Sequence, residues 1–175
     1  MVGWESLFSG YLIFNSIQFV VFFILVLALY FSIPHKYRWF LLLIASAYFY
    51  MSFVPIYILI LGFTICVDYI AGILIEKSSG RRRKMFLVAS ILSNVGVLAV
   101  FKYYNFLNEN LSFLMQPLGI ETNIPYLSIL LPIGLSFHTF QAMSYTIEVY
   151  RKNQAAERHF GIFSLYVLFF PQLVA

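Results

Sequence analysis

Charged residues and cysteines are scarce in this sequence. Only 10% of the 175 residues are charged and 62% are hydrophobic, whereas soluble globular domains carry about 25% charged residues. The single cysteine, Cys66, lies inside an apolar run, so it forms no disulfide within this chain and we expect it to be a small buried side chain. The long apolar runs predict a polytopic membrane protein rather than a soluble domain.

Motifs for metal, nucleotide and nucleic-acid binding are also lacking. The net charge is +4, but the basic residues lie in short segments between apolar runs, so no nucleic-acid partner is predicted. His35, His138 and His159 are too far apart for a local metal motif, and no Gly-rich phosphate loop or nucleophile elbow occurs. We therefore predict no bound metal and no tightly bound cofactor.

Apolar segments dominate the chain and predict an all-α, polytopic transmembrane bundle in a single membrane domain, 1–175. A hydrocarbon core about 30 Å thick needs about 20 helical residues, and about 17 suffice. Residues 103–123 mix Asn and Glu with apolar residues at helical spacing, which favours a short amphipathic helix at the interface, with a loop as the alternative. The six predicted membrane segments are 17–33, 39–53, 56–75, 85–101, 124–150 and 160–175.

The distribution of Lys and Arg predicts the orientation of these segments. Ten of the 11 basic residues lie in the polar stretches 34–38, 76–84 and 151–158, and Lys102 is the exception. The three stretches fall on one side of the membrane, which the positive-inside rule makes cytoplasmic, so the N-terminus lies outside. The run RRRK, 81–84, is interpreted as a topogenic signal, with binding of anionic lipid as the alternative.

The fifth segment carries many polar groups for a membrane helix. Pro132 and Gly134 predict a break or kink near its start. A row of polar side chains then recurs every three or four residues and forms a stripe on one side of a helix. Such a stripe must face the bundle interior or a water-filled space, so we predict that it lines an internal passage. The predicted polar stripe consists of His138, Gln141, Ser144, Tyr145 and Glu148.

Single ionisable residues have structural as well as functional interpretations. Glu148 can simply pair with Arg151 within one turn. His138 is either a hydrogen-bonded packing residue or a catalytic base, although no carboxylate or serine lies at a spacing typical of a dyad. Asp68 lies within the third segment, where a charge is costly, so it either bonds a neighbouring helix or lines a substrate path. The candidate passage-lining residues are His138, Gln141, Ser144, Tyr145 and Asp68.

Five motifs follow one another along the chain. They are FNSIQFVVFF (14–23), ASAYFY (45–50), FKYYNF (101–106), LPIGLSFHTFQAMSYTIEVYR (131–151) and FFPQLVA (169–175). Together they resemble the N-terminal part of the membrane-bound O-acyltransferase (MBOAT) family, in the branch of the bacterial alginate O-acetylation protein. The resemblance covers residues 14–175, which makes residues 1–12 an N-terminal extension or the result of a misassigned start.

This resemblance implies the N-terminal part of a larger helix bundle with a tunnel, in the inner or plasma membrane. It implies transfer of an acetyl group from a cytoplasmic donor, such as acetyl-CoA or an acyl carrier, to hydroxyls of a cell-surface or extracellular polysaccharide, as in alginate biosynthesis. Extracytoplasmic acetylation proteins are the implied partners. The family's essential histidine is expected beyond Ala175, so the chain alone is expected to be an inactive fragment, and His138 is not assigned as the catalyst.

Two functions of other classes stay open at this point. Broken polar helices also build substrate pathways, so the chain could be a transporter or channel subunit. However, transporters often contain paired broken helices in inverted repeats, and only one such segment is predicted here. A non-catalytic membrane scaffold is the other alternative, although a scaffold does not need the polar stripe.

Overall fold

A computed structural model describes residues 17–52, 56–115 and 135–174. All regular structure in these residues is helical, which confirms the predicted all-α class. The predicted break at Pro132 and Gly134 and the extension 1–12 lie outside the described residues. The helices are α1 (Ile17–Ser32), α2 (Arg38–Met51), α3 (Ile56–Lys77), α4 (Gly80–Met115), α5 (Leu135–Arg151) and α6 (Phe160–Leu168), with 3₁₀ turns at His35–Tyr37 and Phe170–Val174.

Two of these helices are long and apolar enough to cross a membrane. The qualifying stretches are Ile58–Lys77 in α3 and Gly80–Tyr104 in α4, and α1 and α6 are apolar but shorter. Large apolar side chains are exposed on them, for example Leu59 at 69% and Ile17 at 74%. Soluble monomers rarely expose contiguous apolar surface of this kind, because its hydration is unfavourable. The helices therefore need a covering of lipid or protein.

Cys66 is exposed, so the prediction that it is buried is wrong. It lies on α3 between Phe63 and Ile70, whose side chains are 56% and 55% exposed. These positions recur at spacings of three and four and share one face of the helix. Because α3 is apolar all round, hydrophobicity alone does not distinguish its inward face from its outward face.

The chain forms two compact units, the first made of Met1–Tyr69 and Ala156–Ala175 and the second of Ile70–Ala155. Three of the sequence motifs meet in an aromatic core of the first unit. Phe49 and Phe170 are 0% and 1% exposed, and their ring centroids are 5.6 Å apart. Phe22 from α1 lies 5.4 Å from the Phe170 ring. The aromatic core comprises Phe19, Phe22, Phe23, Phe49 and Phe170.

A hydrogen bond fixes the end of α6 to this core. Pro171 has no amide hydrogen and does not continue an α-helix, which explains why α6 ends at Leu168. The backbone N–H of Phe170 instead donates to the hydroxyl oxygen of buried Ser46, at 3.3 Å. The ASAYFY and FFPQLVA motifs are therefore joined by packing and by a buried polar contact, which stabilises both.

Two predicted boundaries around α4 are wrong. Residues 76–84 are not a loop, because α3 continues to Lys77 and α4 begins at Gly80, so the RRRK run lies in the first turns of α4. Gly80 adopts a φ of 57°, a left-handed value that costs glycine little, so two residues suffice to interrupt the helix. Residues 103–115 do not form a separate interfacial helix, because α4 is continuous for 36 residues. Lys102 favours helix, and no Gly or Pro lies in 97–116 to end it.

Truncating the aromatic core should destabilise the first unit. We expect Phe49→Ala to lower the free energy of unfolding by about 3–5 kcal/mol, because it removes a fully buried ring and leaves a cavity. Phe40→Ala on the same helix is the matched control, since Phe40 is 50% exposed and its loss should cost well under 1 kcal/mol in detergent. Thermal unfolding of the purified protein measures both; equal losses would contradict the aromatic core.

Candidate functional site

The second unit contains a buried row of polar side chains between α4 and α5. Ser90 and Thr146 are 1% and 0% exposed, and their hydroxyl oxygens are 3.5 Å apart. Asn94, one turn further along α4, donates from Nδ2 to the carbonyl oxygen of Ser90 at 3.0 Å. We call this row the polar seam; it consists of Ser90, Asn94 and Thr146, and His138 and Thr139 are further buried polar residues of α5.

The two helices of the seam are antiparallel. Arg83, near the start of α4, contacts the end of α5 at Val149, whereas Ser90, two turns later, contacts the earlier residue Thr146. The Thr146 hydroxyl also donates to the carbonyl oxygen of Met143, at 3.0 Å. Ser90, Asn94 and Thr146 thus each make a polar contact within the protein, which lowers the cost of placing them in lipid.

The structure divides the predicted polar stripe into a buried edge and an open edge. His138 and Tyr145 are buried, at 1% and 6% exposure. Gln141 is partly buried and Ser144 is exposed. With Glu148, which is also partly buried, these last two recur at spacings of three and four, so they form one edge of α5, which we call the open edge. Whether this open edge borders a passage stays a prediction.

Ser144 shares its side of α5 with apolar residues. It lies four residues after Phe140 and seven after Phe137, so all three point in similar directions on a helix. Phe140 is 61% exposed and Phe137 is 44% exposed. A single hydroxyl among exposed rings is tolerated near lipid when it bonds its own backbone. Ser144 therefore supports the predicted passage less strongly than Gln141 does.

A glycine of α3 makes room for Tyr145. A β-carbon at Gly72 would lie 2.7 Å from the hydroxyl oxygen and 2.8 Å from the Cε1 atom of Tyr145. Such distances are far inside van der Waals contact, so a larger residue cannot be accommodated without movement. Gly72 therefore fixes where the ring of Tyr145 lies.

Asp68 is the candidate residue that belongs to the first unit. Its side chain is 0% exposed, which fits the expectation that a carboxylate within α3 is enclosed by protein. The alternatives of a structural hydrogen bond and a substrate path both stay predictions. In the described parts of the chain, no group of three or more His, Cys, Asp or Glu side chains is placed to bind a metal ion.

Arg83 of the RRRK run has a specific structural role that the sequence interpretation missed. Its Nη2 atom donates to the carbonyl oxygens of Val149 and Tyr150, at 2.9 and 2.7 Å, and its guanidinium lies 5.3 Å from the Tyr150 ring centroid. The last carbonyls of a helix lack partners within it and carry partial negative charge, so a cation there is stabilising. Arg83 therefore caps the C-terminus of α5.

Two carbonyls at this helix end, one of them shared with Arg83, also accept hydrogen bonds from the chain that follows. Lys152 has a φ of 65°, and its N–H donates to Val149 O at 3.1 Å, while Asn153 N–H donates to Glu148 O at 3.1 Å. This 5→2 and 6→1 pattern is a Schellman motif. The predicted pairing of Glu148 with Arg151 is confirmed at 3.6 Å, although exposed pairs of this kind contribute little.

Comparison with known proteins identifies relatives over nearly the whole chain. The chain is 34% identical over 167 residues to a probable alginate O-acetylase, AlgI, of Pseudomonas aeruginosa, which covers 94% of this chain and 32% of that protein. The probable alginate O-acetylase of Azotobacter vinelandii is also 34% identical, over 94% of this chain and 33% of its own length. The chain is a homologue of the alginate O-acetylases.

A more distant relative is also named as an O-acetyltransferase. A peptidoglycan O-acetyltransferase of Helicobacter pylori is 25% identical over 159 residues, covering 77% of this chain and 29% of that protein. The predicted resemblance to the O-acetylating branch is confirmed. The chain spans about a third of the length of the curated relatives that it matches. No protein-family model and no solved structure matches it.

Filling the space at Gly72 should displace Tyr145. We expect Gly72→Ala to lower the free energy of unfolding by about 1–3 kcal/mol, because the new methyl group overlaps the ring. Gly62→Ala on the same helix is the control, since no heavy atom lies within 4 Å of its β-carbon position, and alanine there should be neutral or stabilising by up to about 1 kcal/mol. Thermal unfolding in detergent, with Tyr145→Leu added to Gly72→Ala as a rescue, checks the contact; equal effects at both glycines would contradict it.

Removing the Arg83 cap on α5 should destabilise the protein, whereas removing the charge of the neighbouring Arg82 should not. We expect Arg83→Gln to lower the free energy of unfolding by about 1.5–3 kcal/mol, the usual loss for hydrogen bonds to a charged group. Exposed Arg82 provides the control, because Arg82→Gln changes the net charge equally. Thermal unfolding and a topology reporter fused to the chain separate the two roles; a purely topogenic run would make both variants behave alike.

Proposed function

We propose that the full-length protein is a membrane-bound O-acetyltransferase that transfers acetyl groups to hydroxyls of a cell-surface polysaccharide. The observation that carries this proposal is the homology over 94% of the chain to proteins named alginate O-acetylases. The relation to a peptidoglycan O-acetyltransferase supports the broader class of glycan hydroxyls as acceptors. The two membrane-length apolar helices support a membrane location.

We further propose a multi-pass arrangement in the inner membrane, with the N-terminus outside. The concentration of ten of the 11 basic residues in three short stretches supports this orientation. The donor, acetyl-CoA or an acetylated carrier, would then approach from the cytoplasmic side and the polysaccharide from the other. Acetylation proteins outside the membrane would be the protein partners.

The chemistry requires a base for the acceptor hydroxyl. The hydroxyl oxygen forms a bond to the acetyl carbon, the donor leaves with the electrons of its former bond, and the hydroxyl proton passes to the base. A base must come within about 3 Å of that proton, whereas His138 is 1% exposed. This burial supports a packing role for His138, and we propose that the catalytic histidine lies elsewhere in the full-length protein.

The open edge of α5 is the part of this chain best suited to meet a substrate. Gln141 carries an amide donor and a carbonyl acceptor; its Oε1 atom is buried, and it lies on that edge beside Ser144 and Glu148. Such groups orient an acceptor without taking its proton. In this proposal the chain supplies a wall of the passage, and the histidine that removes the proton comes from the rest of the protein.

Loss of the catalytic histidine should abolish acetylation without loss of the protein. In the full-length protein, alanine at a histidine that lies within an apolar stretch beyond Ala175 should lower the acetyl content of the surface polysaccharide by about 100-fold or more, as expected for a general base. Acetate released by mild alkali from purified polymer measures this, with an immunoblot for protein level.

His138→Gln is the matched control for this experiment. It should retain acetylation in proportion to the amount of folded protein, because glutamine preserves hydrogen bonding but cannot act as a base near neutral pH. A normal acetyl content in a strain that lacks the gene would refute the acetyltransferase function. A complete loss in His138→Gln at a normal protein level would instead assign the base to α5.

A further inference from the structure

Two cavities of the first unit adjoin one another between α1 and α2. The first has a volume of about 340 Å³ and is lined by apolar groups that include Phe23, Leu27 and Phe170. The second has a volume of about 410 Å³ and includes the basic residues of the short turn between the two helices. Tyr30 and Leu42 line both cavities. The two cavities are therefore neighbours, one apolar and one basic, and we call the pair the amphiphile groove.

The apolar end of the groove suits a hydrocarbon chain. Its walls contain no charged side chain, and Phe170 at its base belongs to the aromatic core and is 1% exposed. Its volume falls within the range of about 300–1,000 Å³ that small-molecule sites occupy. Water is poorly retained by such walls, and an acyl chain that enters from the bilayer would gain close packing against them rather than burial from water.

The basic end is built by groups that the fold holds in place. The guanidinium of Arg38 lies 4.8 Å from the Tyr30 ring centroid, and its Nε atom donates to Ile33 O at 3.2 Å. The Nε bond does not use the terminal nitrogens of the guanidinium, and Arg38 lines the second cavity. Lys36 and His35 line the same cavity. No Asp or Glu is among its described lining residues, so the side chains that line this end carry net positive charge.

We propose that the amphiphile groove binds one anionic phospholipid, with an acyl chain in the apolar end and the phosphate beside Lys36 and Arg38. Charge complementarity selects an anionic headgroup, since each Lys or Arg near the membrane surface attracts such lipids. A free phosphate would leave the apolar end empty, and a zwitterionic lipid would not compensate the cations. The groove lies among apolar helices that need lipid around them, so its ligand is present where the protein folds.

Lipid binding to the full-length protein in detergent tests the headgroup end. Native mass spectrometry with phosphatidylglycerol and with phosphatidylcholine of the same acyl chains should show at least about tenfold tighter binding of the anionic lipid. Lys36→Glu should lower the affinity for phosphatidylglycerol by about tenfold, as expected when an attraction becomes a repulsion. Lys102→Glu is the matched control: both lysines are exposed, and each ammonium lies over the ring of the next tyrosine, at 6.0 Å for Lys36 and 5.5 Å for Lys102.

A second pair of variants tests the hydrocarbon end. Leu27→Trp should fill the groove and lower the affinity for phosphatidylglycerol by about tenfold or more. Leu25→Trp should not, because Leu25 lies on the same helix, is similarly exposed (54% against 45%) and does not line the groove. Neither leucine is buried, so both variants should fold.

Three outcomes would overturn the proposal. Glycerol phosphate that binds as tightly as phosphatidylglycerol would reduce the groove to an anion site. Equal binding of both lipids, unaffected by Lys36→Glu, would make the lipid a general coating of apolar surface. Failure of any lipid to bind, with Leu27→Trp lowering the thermal stability of the full-length protein, would indicate that another protein segment fills the groove.

Discussion

Polar groups in hydrocarbon must be bonded inside the protein, and this constraint governs the helix pair α4 and α5. A membrane helix as rich in hydroxyls and amides as α5 would be unfavourable alone. In the structure, Thr146 bonds a carbonyl one turn earlier, and Ser90 and Asn94 of α4 supply polar contacts and bonds across and along the interface. Arg83 satisfies the carbonyls at the helix end. The polarity of α5 is therefore explained first by its packing on α4, and only its open edge remains for a substrate.

The first unit lies in the same apolar environment, but close packing of aromatic rings stabilises it rather than a row of polar contacts. Lipid tails are as apolar as the side chains of α1 and α2, so burial from water does not hold these helices together, and close packing must. Interlocking aromatic rings provide that packing, because each ring makes many contacts in a defined geometry. The hydrogen bond from the Phe170 N–H to the Ser46 hydroxyl oxygen also fixes the orientation of the two segments relative to each other. This explains why three motifs that are far apart in sequence share small and aromatic residues: they form one core.

The sequence predicted which segments form helices, but it did not predict which helices pack against one another. The apolar run 17–33 located α1 to within one residue at its end, because that signal is local. The boundary at Lys102 was predicted wrongly, since polarity marks the membrane edge but does not end a helix, and α4 continues for 36 residues. The division of the polar stripe also followed from packing, because which side of α5 faces α4 depends on a neighbour about 50 residues away, as the Ser90–Thr146 contact shows. A four-residue spacing of Ser90 and Asn94 was the available signal for the seam.

Basic residues illustrate why a count of charges does not give their roles. The positive-inside rule treats Arg38, Arg83 and Lys36 alike. Arg83 has two carbonyl acceptors and an adjacent ring, so its energetic contribution is local and would persist in any orientation of the chain. Arg38 is held against Tyr30, whereas Lys36 is exposed at the mouth of a groove. Because an ion that is already bonded gains little from a lipid phosphate, the free-energy gain on lipid binding must come mainly from Lys36 and from the part of Arg38 that its own bonds do not use.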